Sequence, residues 1–531
     1  MPISYLSASQ IAALSATTVQ GLAATKLNDL VSTQVAVLST TTLSGLSATQ
    51  VSALSKTAVK GLATTQIPAF APNLIFDAAQ LAAFSGAQLN ALTSTQLAKL
   101  DSSRMEALSA TQIGALDTTH FIALDATQIG ALDPTQLKNL TTAQIQAMTV
   151  GDLGELWPDQ IQALAGSQIA ALPTTLVPAI NTTQLAALTV TQLQSLTASQ
   201  VGALSTTQIA ELDTDLAAFS ATQMAGLSRT QTSSLSNTQV AALDATQLAA
   251  LSPDSFSGLS ATQVGGLKTT QLSNLTTTQI SSLDATDFAK LTATQVASFS
   301  ATQMAALSAS NISALSASQI AGLTSTQLGA LAATQLSGLT TTDFAELSST
   351  QVLSLASTQI SGLSTTNLRS LDATVVQALT NTQIAGLTAT QISGLTAGDM
   401  AEFTATQTAA LSPAQLGAVP VSNLATLSST QMTSLTPTAL RGLSAYQMRS
   451  LSQTAFAMLS ATQVQGFTAT QIGSLSTTVI AGLTTTQIGY LTPAQIPGLS
   501  INQLDWLSTT NLEAMTPVQL AALTPAQVDS L

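Results

Sequence analysis

Cysteine is absent from the 531 residues, histidine occurs once, at His120, and tryptophan twice. The missing thiols exclude disulfides and thiolate chemistry, and they leave the redox compartment unread. One histidine and no cysteine also exclude a His/Cys metal centre. Charge is nearly as scarce: Asp, Glu, Lys and Arg make up 7% of the chain, against about 25% in ordinary soluble proteins. Only 12 residues are Lys or Arg, and the net charge of −13 is spread thinly. With no basic stripe to neutralise phosphates, nucleic acid is not an expected partner. No run approaches about 18 apolar residues, so no membrane span is expected. The opening "MPISYLSASQIAAL" lacks the basic and apolar regions of a Sec-type signal. Glycine-rich phosphate loops and GGxGxD calcium repeats are missing too.

What is present is one eight-residue sentence, as in "SATQVSAL" at 47–54 and "SASQIAGL" at 316–323. After a lead-in at 1–6, the repeat runs through 7–531 as a single continuous tract. Two units are short: "APNLIF" (71–76) and "DTDLAAF" (213–219). Leucine closes 55 of the 66 units and Phe, Met, Ile or Val the other eleven, so a large apolar side chain ends every unit. Numbered 1 to 8, the octad has Ser, Thr or Asp at position 1, usually Gln at 4, an apolar residue at 5, and usually Ala, Gly or Ser at 7. Ser/Thr-x-x-Gln ahead of an apolar residue is the capping-box pattern. Position 1 is then an N-cap and position 4 the third helical residue.

Three features agree. Eight prolines, among them Pro134, Pro253 and Pro525, stand at position 2, where a helix tolerates a missing N–H. Sixteen of 19 Asp lie at positions 1, 3 or 4, near the positive end of the helix dipole. Positions 5 and 8 carry no charge anywhere, which makes them one apolar face. Gly at position 7 (Gly21, Gly45, Gly362) suits a C-terminal turn or close packing. Pro68, Pro178 and Pro497, at position 6, do not suit a longer helix.

The expected fold is therefore all-α: an α-solenoid with one very short helix per octad. A helix this short cannot stand alone in water, so positions 5 and 8 of neighbouring units must bury against each other. Two to four units per coil would give a rod on the order of 150–300 Å. A continuous helix would need 4.0 residues per turn, too far from 3.6. A β-solenoid is the serious alternative, because Thr-x-Thr spacing, as in "TTTQI" at 276–280, could line up flat threonine arrays. Period-2 alternation would, however, put positions 5 and 8 on opposite faces.

No enzyme is expected, and no catalytic, cofactor-binding or metal-binding residue stands out. His120 replaces Gln at position 4 and reads as a cap-region substitute. Asp213 and Asp215 read as an N-cap and a first-turn charge, not an acid/base couple. Serines are abundant but have no base to activate them. Trp157 and Trp506 read as packing at surface seams. Phe70, Phe76 and Phe84 flank the first short unit and read as filling the space it leaves.

The repeated S/T-x-T-Q-I/V-x-A/G-L resembles the octapeptide tracts of very large bacterial adhesin-like or RTX-like exoproteins. That resemblance implies export, display at the cell surface and a spacer or fibre role. A solenoid also needs polar terminal caps to remain monomeric. The expected function is thus a structural repeat protein that forms or extends an extracellular filament. Its partners would be further copies, or further repeats of a longer chain, stacked end to end through positions 5 and 8. The alternative is a surface-binding module whose Ser/Thr rows contact ice, polysaccharide or a host surface.

Overall fold

Each octad begins where its cap residues say it should. The computed structural model describes residues 3–73 and 76–531. Met1 and Pro2 of the lead-in, and Leu74 and Ile75 of the six-residue unit, lie outside the described residues. Among the described residues there are 61 α-helices of four to six residues and no strand. The β-solenoid alternative falls, and the protein is an all-α repeat protein with one short helix per unit.

In the unit 125–132, the Asp125 carboxylate accepts from the Gln128 N–H at 2.8 Å, and the Gln128 side-chain oxygen accepts from the Asp125 N–H at 3.0 Å. Helix Ala126–Gly130 follows, and the chain then bends into the next cap. Of the eight prolines at position 2, seven open an α-helix at its first residue, where no N–H is missed. The exception, Pro493, shares its unit with Pro497. All three octads with proline at position 6 form a turn and a 3-10 helix instead: Ile67–Ala69, Val177–Ala179 and Ile496–Gly498. Proline there has no N–H to give the carbonyl four residues back, and its ring crowds that carbonyl. The tighter winding avoids both problems.

The chain packs as two units, residues 1–263 and 264–531, and each has the same internal plan. In the first, helix Ala126–Gly130 packs on Val150–Glu155, three repeats later. In the second, Ala301–Ala305 packs in the same way on Ser325–Ala330. Positions 5 and 8 form the core: Ile129 is 1% and Leu132 0% exposed, and Ile392 and Leu395 are likewise buried. Burial of each such side chain is worth roughly 1.5–3 kcal/mol; it comes from neighbouring repeats, because no single helix of this length could supply it. Two units carry threonine at position 5. Thr232 is fully buried, and its hydroxyl donates to the Ser255 carbonyl oxygen at 2.5 Å; the Thr408 hydroxyl donates to the Thr404 carbonyl oxygen at 3.0 Å.

Position 7 glycine caps the end of its helix without a left-handed turn, and at Gly386 it serves close packing as well. No glycine among the described residues has positive φ; Gly45 and Gly386 have φ of −94° and −78°. A methyl group on Gly386 would lie 2.6 Å from the Ser357 carbonyl oxygen, three repeats earlier. Glycine is required there by proximity, because any Cβ would push the neighbouring helix away.

Candidate functional site

Each repeat's chemistry is concentrated in its position 4 side chain. Gln144 is 1% exposed and satisfies all four of its hydrogen-bonding sites. Its oxygen accepts from the Thr141 N–H at 2.7 Å and from the Thr141 hydroxyl at 3.1 Å. Its Nε2 donates to the carbonyls of Ile113 at 2.8 Å and Leu116 at 3.0 Å. Those carbonyls belong to positions 5 and 8 of the repeat four units earlier. The second unit repeats the arrangement: Gln391 Nε2 donates to the Ile360 and Leu363 carbonyls, both at 2.8 Å. A short helix leaves amides unpaired at its start and carbonyls unpaired at its end. One buried glutamine closes both defects, the first in its own repeat and the second four repeats back. Helices touch three repeats apart and glutamines reach four, so one turn of the coil holds between three and four repeats.

Several substitutes at position 4 keep the lateral bond. Arg104 Nε donates to the Phe76 carbonyl at 3.0 Å, and its guanidinium pairs with the Asp101 carboxylate. Asn311 Nδ2 reaches only the Leu283 carbonyl, at 2.9 Å, being one methylene shorter. Ser255 donates to the Leu227 carbonyl at 2.6 Å. His120 bridges the same two places as glutamine, with Nδ1 2.7 Å from the Asp117 carboxylate and Nε2 3.1 Å from the Leu92 carbonyl oxygen. A backbone N–H and the side chain of His120 both hold the Asp117 carboxyl below its ordinary value. The reading of His120 as a cap-region substitute is borne out, and its lateral bond adds to it.

Aspartate at position 4 can complete the cap but has no N–H for the lateral bond. Asp152 accepts from the Thr149 N–H at 2.7 Å and is 8% exposed. At Asp399, Arg369 of the repeat four units earlier supplies the donor, with Nε 3.0 Å away. Asp287 is pushed up chiefly by burial, and the neighbouring Asp284 charge adds to the effect.

Two expectations about individual residues need correcting. Asp213 is not an N-cap: the helix before it runs to Glu211, and Asp213 opens the 3-10 helix Asp213–Ala218 with φ of 38°. One residue too few leaves no room for an extended cap, so the backbone turns through the left-handed region, which aspartate tolerates. Trp157 and Trp506 do not pack at seams; they are 69% and 56% exposed. The short units leave the ladder in step: Gln223 reaches the Leu193 and Leu196 carbonyls across the seven-residue unit, and Gln80 reaches Val51 and Leu54 across the six-residue one. The ladder counts repeats and not residues. Phe70, Phe76 and Phe84 fill the first defect as expected, with ring centroids 5.0 and 4.9 Å apart and edge-on geometry.

Among the described residues no three His, Asp or Glu side chains converge as metal ligands, and no helix is long and apolar enough to cross a membrane. The ALTTAQ repeat family matches three stretches, residues 177–214, 240–277 and 469–501. No curated protein matches the chain. The matched stretches support a repeat protein.

Proposed function

We propose that the chain is a structural, non-enzymatic repeat protein that forms or extends an extracellular bacterial filament by stacking repeats end to end. One observation carries the reading: most repeats present a side-chain donor on the side of earlier repeats and two carbonyl acceptors on the side of later ones. Turns built from such repeats are thereby complementary to one another, whether they belong to the same chain or to another copy. Display at the cell surface follows from the resemblance to adhesin-like and RTX-like tracts. The Ser/Thr rows lie on helices, which removes the flat threonine array that ice binding would need.

The test is electron microscopy of the purified chain with far-UV circular dichroism. Filaments much longer than about 300 Å with a helical spectrum support the proposal, because one chain cannot span that length. Leu531→Asp should abolish them and leave the spectrum intact. Filaments that persist unchanged in this variant, or separate particles of the unmodified chain, would refute it.

A further inference from the structure

Trp157 serves neither of the two ends that account for the rest of the sequence. It stands at position 1, where Ser, Thr or Asp would accept from a helix amide, and helix Pro158–Ala163 has no side-chain cap bond. Nor does it belong to the core, since it is 69% exposed. A side chain that gives up a cap and leaves a large apolar face in water contributes little to stability. Trp157 lines two recesses, and Glu155 lines both. Asn181 and Thr183 line the first recess and Thr127 the second. All four are exposed. Gly154 borders the first recess, and a methyl group there would meet nothing within 4 Å. Unlike Gly386, it is not required by close packing, and the lack of a side chain keeps the recess open.

We infer that Trp157 is the platform of a binding site for a neutral oligosaccharide. A sugar ring has an apolar face of C–H groups, which an exposed indole can cover, and an equatorial rim of hydroxyls. The Glu155 carboxylate can accept from those hydroxyls, and the Asn181 amide and the Thr183 and Thr127 hydroxyls can donate to them. Two recesses that share Trp157 and Glu155 offer room for more than one sugar. The carboxylate disfavours an anionic polysaccharide. A proline-rich peptide fits less well, because a single aromatic makes no slot for a polyproline ridge and the remaining walls are mainly polar. The site is independent of end-to-end stacking: loss of filaments leaves it untouched, and loss of sugar binding leaves the filament reading untouched.

The chain has only two tryptophans, so Trp506→Phe leaves Trp157 as the sole indole reporter. That full-length variant should be titrated with cellohexaose, chitohexaose, laminarihexaose and isomaltohexaose up to about 10 mM, a range that detects millimolar binding. A saturable blue shift with at least one of them is expected. In the otherwise unaltered chain, calorimetry should show that Trp157→Ala weakens binding of that sugar at least about tenfold and Glu155→Gln several-fold. Both variants should keep the helical spectrum. Trp157→Phe, which leaves only Trp506, should show no shift. No shift with any of the four sugars would overturn the proposal, as would an equal response from Trp506 or a response confined to a proline decamer.

Discussion

The octad at 173–180 and the octad at 197–204 are built differently and are used alike. The first, with Pro178 at position 6, is a turn and a 3-10 helix; the second is the six-residue α-helix Ala198–Ala203. Yet Gln208 donates to the Val177 and Ile180 carbonyls at 2.9 and 2.7 Å, and Gln231 to those of Val201 and Leu204 at 2.9 and 2.7 Å. What the coil requires of a repeat is therefore two apolar side chains and two carbonyls in fixed positions. The winding between them is secondary.

The comparison is broken most severely at the glutamine. Gln391→Glu removes both donors and aims a buried negative charge at two carbonyl oxygens, and should cost about 3–5 kcal/mol. Urea unfolding measures the loss, and hydrogen exchange should rise in the repeats 388–395 and 356–363; a cost under about 1 kcal/mol would show the ladder to be incidental. The reverse change sharpens the comparison. Asp152→Gln should offer donors to the Phe121 and Leu124 carbonyls and raise stability by about 1–3 kcal/mol, read as a higher denaturation midpoint. Trp157→Ser restores a missing cap and should add about 1 kcal/mol in the same measurement.

Pro178→Ala tests the secondary role of winding. Carbon chemical shifts should report an α-helix over the repeat, with stability changed by less than about 1 kcal/mol, because proline's restriction of the unfolded chain offsets the regained bond. Loss of protection in the repeat 205–212 would contradict this. The smallest effect is on pH dependence. Asp287 is raised above its ordinary value of 3.8, so the folded state binds the proton more tightly than the unfolded one. Stability should then fall as pH rises through the window above 3.8. Asp287→Asn should flatten that part of the curve. Asp117 has the opposite sign, with stability lost as pH falls through the window below 3.8.

Much of this was readable from residues alone. Caps at position 1, prolines at 2 and apolar side chains at 5 and 8 report on structure within eight residues, and the helix starts follow them. Pro68, Pro178 and Pro497 marked the three irregular octads for the same reason. The lateral bonds were not foreseen, because their partners lie 28 and 31 residues away (Gln128 to Leu100 and Leu97) and meet only once the coil closes. A signal existed nonetheless. A capping box accepts Glu as readily as Gln, yet all six glutamates stand at positions 6 or 7 and none at position 4. A carboxylate could close the cap but could not donate. The exposure of Trp157 was equally hidden: indole at a cap position looks like packing until its surroundings are known.

The ladder has the form of an α-helix written one level up. In a helix each N–H donates to the carbonyl four residues back; here a position 4 glutamine donates to the repeat four back. Such a pattern has a direction, with lateral donors facing earlier repeats and the carbonyls they meet facing later ones. A donor face fits an acceptor face but neither fits its own kind. Copies joined through them would all point the same way, giving an open, polar polymer and never a closed twofold pair.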